Sequence, residues 1–129
     1  MGEQMAVQAC RRDPTLKIYG LRFSNVMRPT DYTNFLDWQD DPLRRKWNLW
    51  SYIDGRDGAQ AVRRALEHAG TGAEIFVIAN ADSVMTTSSR DLMAAVFPGV
   101  EIRKELGQHE TLLSIDKARR MLEIGRAHV

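Results

Sequence analysis

The sequence predicts an α/β fold, on three observations. Segments with helical periodicity alternate with short β-branched and aromatic segments, which is typical of α/β proteins. The chain has 129 residues, the length of one domain. Hydrophobic residues make up 43% and charged residues 27%, as in an ordinary globular chain. The predicted elements follow in chain order.

The first third of the chain predicts a helix, a strand and a loop. A helix over 2–12 ends before Asp13-Pro14, because proline disfavours a helical conformation in the residue that precedes it. Residues 16–23 (LKIYGLRF) are rich in β-branched and aromatic side chains and predict a strand. Residues 24–37 have no clear period, so they predict a long loop, a feature that is often functional.

The middle of the chain predicts a helix, a strand and a second helix. Residues 40–47 are acidic at the start and basic at the end, which suits a short helix and its dipole. Residues 48–54 predict a strand closed by an Asp-Gly turn. A helix over 57–70 is predicted to begin at Asp57 and end at Gly70. Its apolar face is predicted from spacings of three and four, at Ala59, Val62, Ala65 and Leu66.

Four further elements are predicted in the last part of the chain. Residues 73–81 (AEIFVIANA) predict a buried strand. Residues 88–91 have the spacing of a capping box and precede a helix that extends to 97. A short strand over 100–106 and a helix over 116–122 complete the alternation.

Composition excludes several classes of function. The chain has 18 basic and 17 acidic residues, a net charge of +1, so the sequence argues against nucleic-acid binding through a basic field. No apolar run has the length of a membrane span and no apolar leader opens the chain, so we expect a cytoplasmic protein. Cys10 is the single cysteine, which excludes an internal disulfide framework. His68 and His109 lack the spacing of metal ligands, so no metal is expected.

Several polar and aromatic residues are candidates for a site, each with a structural alternative. Asn25 follows a strand end, where ligands bind in open α/β sheets, but the residues alone favour an Asx turn. The basic run at 44–46, which includes Arg45, either clamps a phosphate or forms a solvated face. Asp54 and Asp57 are either an acid–base pair or turn and capping residues. Trp38, Trp47 and Trp50 either stack on a sugar or base or pack in the core.

Four segments in order carry a resemblance to a known family. They read LKIYGLRFSNV, LWSYIDGRDGAQAVRRALE, AEIFVIANAD and LLSIDKARRML. Together they resemble the substrate-side, C-terminal part of an extended short-chain dehydrogenase/reductase, within the NAD-dependent epimerase/dehydratase group. The resemblance covers nearly the whole chain. It implies the last strands of a Rossmann-type sheet together with the small substrate-binding lobe.

The resemblance also implies roles for particular residues. Phe23 and Ser24 would line the nicotinamide pocket of NAD or NADP, and Asn25 would contact the substrate. Family members that bind nucleotide-sugars carry an arginine where this chain has Trp50, so Trp50 takes that substrate-facing position. Arg45 and Arg56 are the candidate replacements for the arginine. The implied ligand is a small molecule, a sugar derivative, and the implied parent is a homodimer. No catalytic residue is assigned to this chain.

Two departures from the family shape the functional expectation. The Gly-rich cofactor loop and the Tyr-x-x-x-Lys pair are both missing from this chain. Residues 1–122 are therefore expected to be a truncated C-terminal region that is inactive alone. Residues 123–129 are expected to be a non-native tail, because Ile124 to Val129 reads as a common sequencing adapter in translation.

Two functions compete at this point. The first is the substrate-binding half of an NAD(P)-dependent epimerase, dehydratase or reductase that works by hydride transfer. The second is a non-catalytic binding or assembly module of the same lineage. Exposed apolar surface on the sheet distinguishes them, because a severed half leaves strand and helix faces uncovered.

Overall fold

Two parallel strands form the centre of the fold, which is a small mixed α/β arrangement with short parallel sheets. In this computed structural model, residues 1–125 are described, and residues 126–129 of the predicted tail lie outside the described part. The helices and strands in chain order are α1 (Gly2–Arg12), β1 (Lys17–Phe23), β2 (Val26–Met27), α2 (Phe35–Trp38), β3 (Ile53–Asp54), α3 (Gly55–Glu67), β4 (Gly72–Ile78), α4 (Ser89–Val96) and α5 (Asp116–Leu122).

Strand β1 pairs with β4 along its whole length, and three helices pack on the pair. Side chains alternate across β4, so Phe76 and Ile78 share one face, where both are fully buried against α3 and α5. Small residues of the two helices, Ala61 of α3 and Ala118 of α5, are fully buried in the same cluster. We call residues 2–23, 53–80 and 114–125 the sheet half.

Helix α3 confirms the predicted helix but corrects its ends and its buried face. It begins at Gly55, and the buried Asp54 caps it by accepting a hydrogen bond of 2.8 Å from the Arg56 amide, so Asp57 is not the cap. The buried face contains Ala61 and Ala65, whereas the predicted core residues Ala59, Val62 and Leu66 are exposed. Small side chains allow α3 to lie close to the large residues of β4.

Lys17 explains why α3 ends at Glu67 and not at Gly70. Its ammonium donates to the carbonyl oxygens of Ala65, Leu66 and His68 at 2.9, 3.0 and 2.7 Å. These are carbonyls that the end of a helix leaves without partners, and a cation is favourable there. The first strand of the sheet therefore closes the helix that follows it.

The remaining residues form what we call the aromatic lobe, residues 24–52 and 81–113. Its core contains Trp38, Trp50 and Tyr52 together with methionines and leucines. Strand β2 pairs in parallel with β3 of the sheet half over two residue pairs. The predicted loop over 24–37 contains β2, a 3-10 segment over Pro29–Asn34 and most of α2.

Three predictions in the lobe are wrong or only partly right. Residues 40–47 form turns and then the start of a 3-10 segment over Lys46–Asn48, not the predicted helix. The Asp41 side chain and carbonyl accept from the amides of Leu43 and Arg44 and hold the chain in a bend. The predicted strand over 48–54 is reduced to β3, since Leu49 and Trp50 adopt left-handed φ angles of 54° and 57°. Residues 100–106 form no helix and belong to no sheet in the described part of the chain, so the predicted strand is absent there.

The helices at both ends of the chain match the sequence. Helices α1 and α5 have the predicted bounds, 2–12 and 116–122. Helix α4 is capped by Ser88, which accepts a hydrogen bond of 3.2 Å from the Asp91 amide, as the capping-box spacing predicts. The α/β class is thus confirmed, with regular structure concentrated in the sheet half.

Candidate functional site

The candidate site lies where β1 ends and the chain passes from the sheet half to the lobe. The Ser24 amide donates to the Ile78 carbonyl at 3.0 Å, which continues the pairing of β1 with β4 by one residue. The Asn25 carbonyl then accepts from the Ile53 amide at 3.0 Å and begins the second small sheet. Ser24 and Asn25 therefore lie between the two sheets, at the carboxyl end of β1, the end at which open α/β sheets bind ligands.

Arg45 reaches the same point from the lobe. Its side chain is bonded to Asn25, whose amide oxygen accepts from the two terminal guanidinium nitrogens at 3.1 and 2.7 Å when the amide is oriented to satisfy both groups. The guanidinium carbon lies 4.1 Å from the ring centre of Trp38 and 5.2 Å from that of Trp47. Both distances are within the range of a cation–π contact. Arg45 is only 8% exposed, whereas Trp47 is 70% exposed.

The charge of Arg45 has no counterion in the described part of the chain. No carboxylate of residues 1–125 forms an ion pair with it, and its Nε atom is buried without a hydrogen-bond partner. Burial, and after it the positive charge of Arg44, lowers the pKa of Arg45. A buried cation that bonds only to a neutral amide is costly, so this position is electrostatically suited to an anion.

Three neighbouring polar side chains surround this pair. The hydroxyl groups of Ser24 and Ser51 lie 2.6 Å apart, and the Ser51 hydroxyl also donates to the Asn48 carbonyl at 2.7 Å. The Asn48 side-chain oxygen is buried with no partner in the described residues. An unpartnered donor on Arg45 and an unpartnered acceptor on Asn48 are thus both present in this region of the fold.

The structure separates the other predicted site residues. Phe23 is 42% exposed at the end of β1, where its ring covers Gly58, so it offers part of a ring face beside Ser24. Trp50 has no exposed surface, and its indole nitrogen donates to the Pro42 carbonyl at 2.7 Å. The Trp50 amide also donates to the Arg45 carbonyl at 3.1 Å. In this structure Trp50 therefore packs in the core and holds the loop that carries Arg45, instead of presenting its ring to a ligand.

The structure contains a second polar cluster, around Asp54, which the sequence did not predict as a group. Asp54 is fully buried, and both its oxygens accept from Arg56, at 2.9 and 2.8 Å. The Tyr32 hydroxyl donates to the same carboxylate. Burial, followed by this hydrogen bond, raises the pKa of Tyr32, while the bond to Asp54 raises the pKa of Arg56. The carboxylate is thus shared between the lobe and the sheet half.

Asn80 extends this second cluster beyond the end of β4. Its side-chain oxygen accepts from the Asp54 amide at 2.6 Å, and its nitrogen donates to the buried Asp57 carboxylate at 2.7 Å. The sequence placed Asn80 inside the predicted strand over 73–81, whereas β4 ends at Ile78, so Asn80 follows a strand end as Asn25 does. The capping and turn alternative for Asp54 is the one that the structure supports.

Two cavities lie outside the Asn25–Arg45 pair. The smaller, about 250 Å³, has Asp57, Asn80 and Arg119 in its walls. The larger, about 440 Å³, lies between α4, the segment over 100–106 that follows it and the start of α5. Within residues 1–125 no group of three His, Cys, Asp or Glu side chains is placed to hold a metal ion. No helix of the described residues combines the length and apolar character required to cross a membrane.

Comparisons with protein-family models, with curated proteins and with solved structures found no match to this chain.

Proposed function

We propose that this chain is the substrate side of an NAD(P)-dependent epimerase, dehydratase or reductase, and that Asn25 and Arg45 receive the anionic group of a sugar-derived substrate. The observation that carries the proposal is the buried Arg45 guanidinium without a carboxylate partner in residues 1–125. A phosphate or carboxylate of the substrate would offset the cost of burying that cation. The position at the carboxyl end of β1 supports the same assignment.

The surroundings of Arg45 suit the rest of such a substrate. Arg45 retains donors that are not used by Asn25, since a guanidinium carries five N–H groups. Trp47 is largely exposed beside it and offers a flat apolar face, on which a sugar or base ring stacks favourably. An anionic group and a ring could therefore be held together by neighbouring side chains.

The small size of the sheet supports the idea that the cofactor is bound by Rossmann strands that are missing from this chain. Parallel sheets are normally covered on both faces and contain more than two strands, whereas β1 and β4 pair only with each other in the described residues. Leu16 and Phe23 of the β1 region are 38% and 42% exposed. This incomplete sheet favours the severed half over the non-catalytic module, because the missing Rossmann strands would pair with and cover β1.

The chain's own residues would form only part of a cofactor pocket. NAD or NADP would supply hydride transfer when bound. Phe23 offers an exposed ring at the end of β1, and the Ser24 hydroxyl is positioned by Ser51, so these two residues fit a pocket wall. Positioning the substrate against that wall is the contribution we assign to this chain. As for the enzymes that it resembles, we expect a cytoplasmic parent that pairs as a homodimer.

Calorimetric titration of the full 129-residue chain tests the anion site. The ligands are UDP-glucose, glucose 1-phosphate, inorganic phosphate and glucose. We expect the phosphate-bearing sugars to bind and Arg45→Gln to weaken them by about tenfold or more, the loss typical of a charged hydrogen bond. Arg44→Gln is the matched control, because Arg44 is adjacent in sequence and exposed.

The outcomes separate the parts of the proposal. Equal affinity of the Arg45→Gln variant, folded by circular dichroism, would remove Arg45 from the substrate site. NADH is expected to give no heat with this chain, because the Gly-rich loop and the Tyr-x-x-x-Lys pair are missing from it. A longer chain extended upstream in the source DNA is expected to bind NADH, and failure of that chain to do so would favour the non-catalytic module.

A further inference from the structure

The larger cavity has an apolar lining that the proposed function does not use. Its volume of about 440 Å³ is within the usual range for pockets that hold small organic ligands. Neither Asn25 nor Arg45 lines it. Its apolar lining residues include Met93, Phe97, Ile102, Leu106, Leu112 and Ile115. Protein interiors are close-packed, so an apolar space of this size between elements of the described fold is unusual and suits a ligand.

Part of the cavity lining belongs to the core of the aromatic lobe. Met93 is 9% exposed and is a member of that core, and Phe97, Ile102 and Leu112 pack against it. The Phe97 ring makes an edge-on contact with the buried Trp50 ring, with 6.0 Å between ring centres. Side chains that already pack on a core are largely ordered before a ligand arrives, which lowers the entropic cost of binding.

Charged residues at the cavity are balanced within the chain. Lys104 and Glu110, which both line it, form an ion pair at 2.8 Å. Glu101, also in the lining, faces Arg103 at 3.6 Å. Arg103 lies outside the lining, but its charge offsets that of Glu101. Each of these lining charges therefore has an opposite charge beside it.

Helix α5 adds one charge of each sign to the lining, Asp116 and Arg119. The hydrogen bond to Lys104 lowers the pKa of Glu110, and the positive charge of Arg119 adds to this effect. The hydrogen bond to Glu110 raises the pKa of Lys104, and the negative charge of Asp116 adds to that effect. Arg119 and Asp116 thus each act on an opposite charge of the Lys104–Glu110 pair, and the cavity presents no unbalanced charge to a ligand.

We propose that this cavity binds an uncharged, largely apolar small molecule whose body lies against Phe97, Leu106 and Leu112. Contact with these side chains removes apolar surface from water, and this supplies the free energy of binding. A charged group of either sign would lose hydration in the cavity without gaining an unpaired counterion. Because the cavity does not include the Asn25–Arg45 pair, the proposal is independent of the proposed enzyme function.

Titration of the full chain with methyl 2-naphthoate, 2-naphthoate and 2-naphthylmethylammonium tests the site and its preference for an uncharged ligand. The three probes share one ring system and differ in charge, and naphthalene fluorescence reports their binding. We expect a single saturable site for the ester. Each ion is expected to bind about tenfold more weakly or less, because of the cost of desolvating its charge.

A pair of leucine substitutions tests where the ester binds. Leu106→Gln places an amide in the apolar lining and is expected to weaken ester binding about tenfold. Leu106 is half-buried and belongs to neither hydrophobic core cluster, so the fold should tolerate the change. Leu43→Gln is the matched control, because Leu43 is 58% exposed and lines neither of the two cavities.

Three outcomes would overturn the proposal. The first is the absence of saturable ester binding. The second is equal ester affinity in the Leu106→Gln and Leu43→Gln variants, which would place the ester elsewhere on the surface. The third is an affinity for either ion that equals or exceeds that for the ester, which would mean that the charges at the cavity are not balanced. Circular dichroism of both variants checks that a lost signal is not lost folding.

Discussion

The sheet half and the aromatic lobe are stabilised in different ways. In the sheet half, backbone groups pair within long helices and along the seven-residue strands, and large side chains of β4 pack on the alanines of α3 and α5. In the lobe, helices and strands are short, and many backbone groups form hydrogen bonds with side chains instead of with other backbone groups. Gln39 is the clearest case, because its amide bonds the carbonyls of Phe35 and Val84 and the Thr86 amide, at 2.7, 2.8 and 2.7 Å.

This difference indicates which substitutions should destabilise each half. A regular sheet and its helices distribute their backbone hydrogen bonds over many residues, so individual surface side chains matter little. A loop-rich region depends on the few side chains that satisfy its buried backbone groups. The carboxylate of Asp54 and the backbone carbonyl of Asn25 join the two halves, so the site lies at the boundary between the two modes of stabilisation.

The largest expected effect is in the core of the sheet half. Phe76 is fully buried, with its ring 5.3 Å from that of Tyr19 in an edge-on contact. Phe76→Ala removes the largest side chain of that cluster and leaves a cavity, so we expect the free energy of unfolding to fall by about 3–5 kcal/mol. Urea unfolding measures it. Leu36→Ala, at a lobe residue that is 77% exposed, should change stability by less than about 0.5 kcal/mol, and similar losses in both variants would contradict the comparison.

The next effect tests the dependence of the lobe on Gln39. Gln39→Leu keeps the size of the side chain but leaves the Val84 carbonyl and the Thr86 amide without the partners they have now. We expect a loss of about 1–3 kcal/mol, the cost of unsatisfied polar groups. Hydrogen exchange should accelerate at lobe amides such as that of Thr86 and change little in β4. Uniform acceleration in both halves would show that the lobe does not open separately.

Two substitutions by glycine, one in each half at a residue with a left-handed φ angle, should have opposite effects on stability. Glu123, the C-cap of α5, has φ 52° and is exposed, so Glu123→Gly relieves strain and should stabilise the chain by about 0.5–1 kcal/mol. Leu49 has φ 54° but packs on the aromatic core, so Leu49→Gly should destabilise it. Thermal unfolding of both variants measures the difference. If both substitutions stabilised the chain, or both destabilised it, backbone strain would not dominate at Glu123 and side-chain packing at Leu49.

The smallest effect is a pH dependence at the boundary between the halves. Burial and the hydrogen bond to Asp54 raise the pKa of Tyr32 in the folded chain. An unfolded tyrosine ionises near pH 10, so the contribution of Tyr32 is present below about pH 10 and is lost as the pH rises towards its folded pKa. We expect the free energy of unfolding to decline above about pH 10, and to decline less steeply in Tyr32→Phe. Identical alkaline slopes would rule out this contribution.

The sequence predicted the sheet half well because its signals are local. The proline after α1 and the β-branched run of β4 each act within a few residues, as does the capping spacing before α4, the one long helix of the lobe in the described residues. The same local reasoning placed helix 40–47 and strand 100–106 in the lobe, where neither forms. In the first case Asp41 offers the backbone a competing turn, and in the second no strand of residues 1–125 pairs with the segment.

For the candidate site, residue types were predictable and contacts were not. Asn25 was identified because it follows a strand, and Arg45 because it belongs to a basic run. Their contact, and the burial of Arg45 between two tryptophans, depend on the chain reversing at Leu49 and Trp50. Trp50 was assigned to a ligand, but the structure places it in the core. An isolated sequence does not distinguish these positions, because both are surrounded by apolar and basic neighbours.

By itself the sequence determined the α/β class, the order of the main helices and strands, and the end of β1 as the place to look for a site. Those properties follow from periodicity, capping and proline, which act over a few residues. Only the tertiary structure decided which charged side chains are buried and which cavities exist. Burial depends on groups distant in sequence, such as Asn25 and Arg45, and the free energy of a charge depends on what surrounds it.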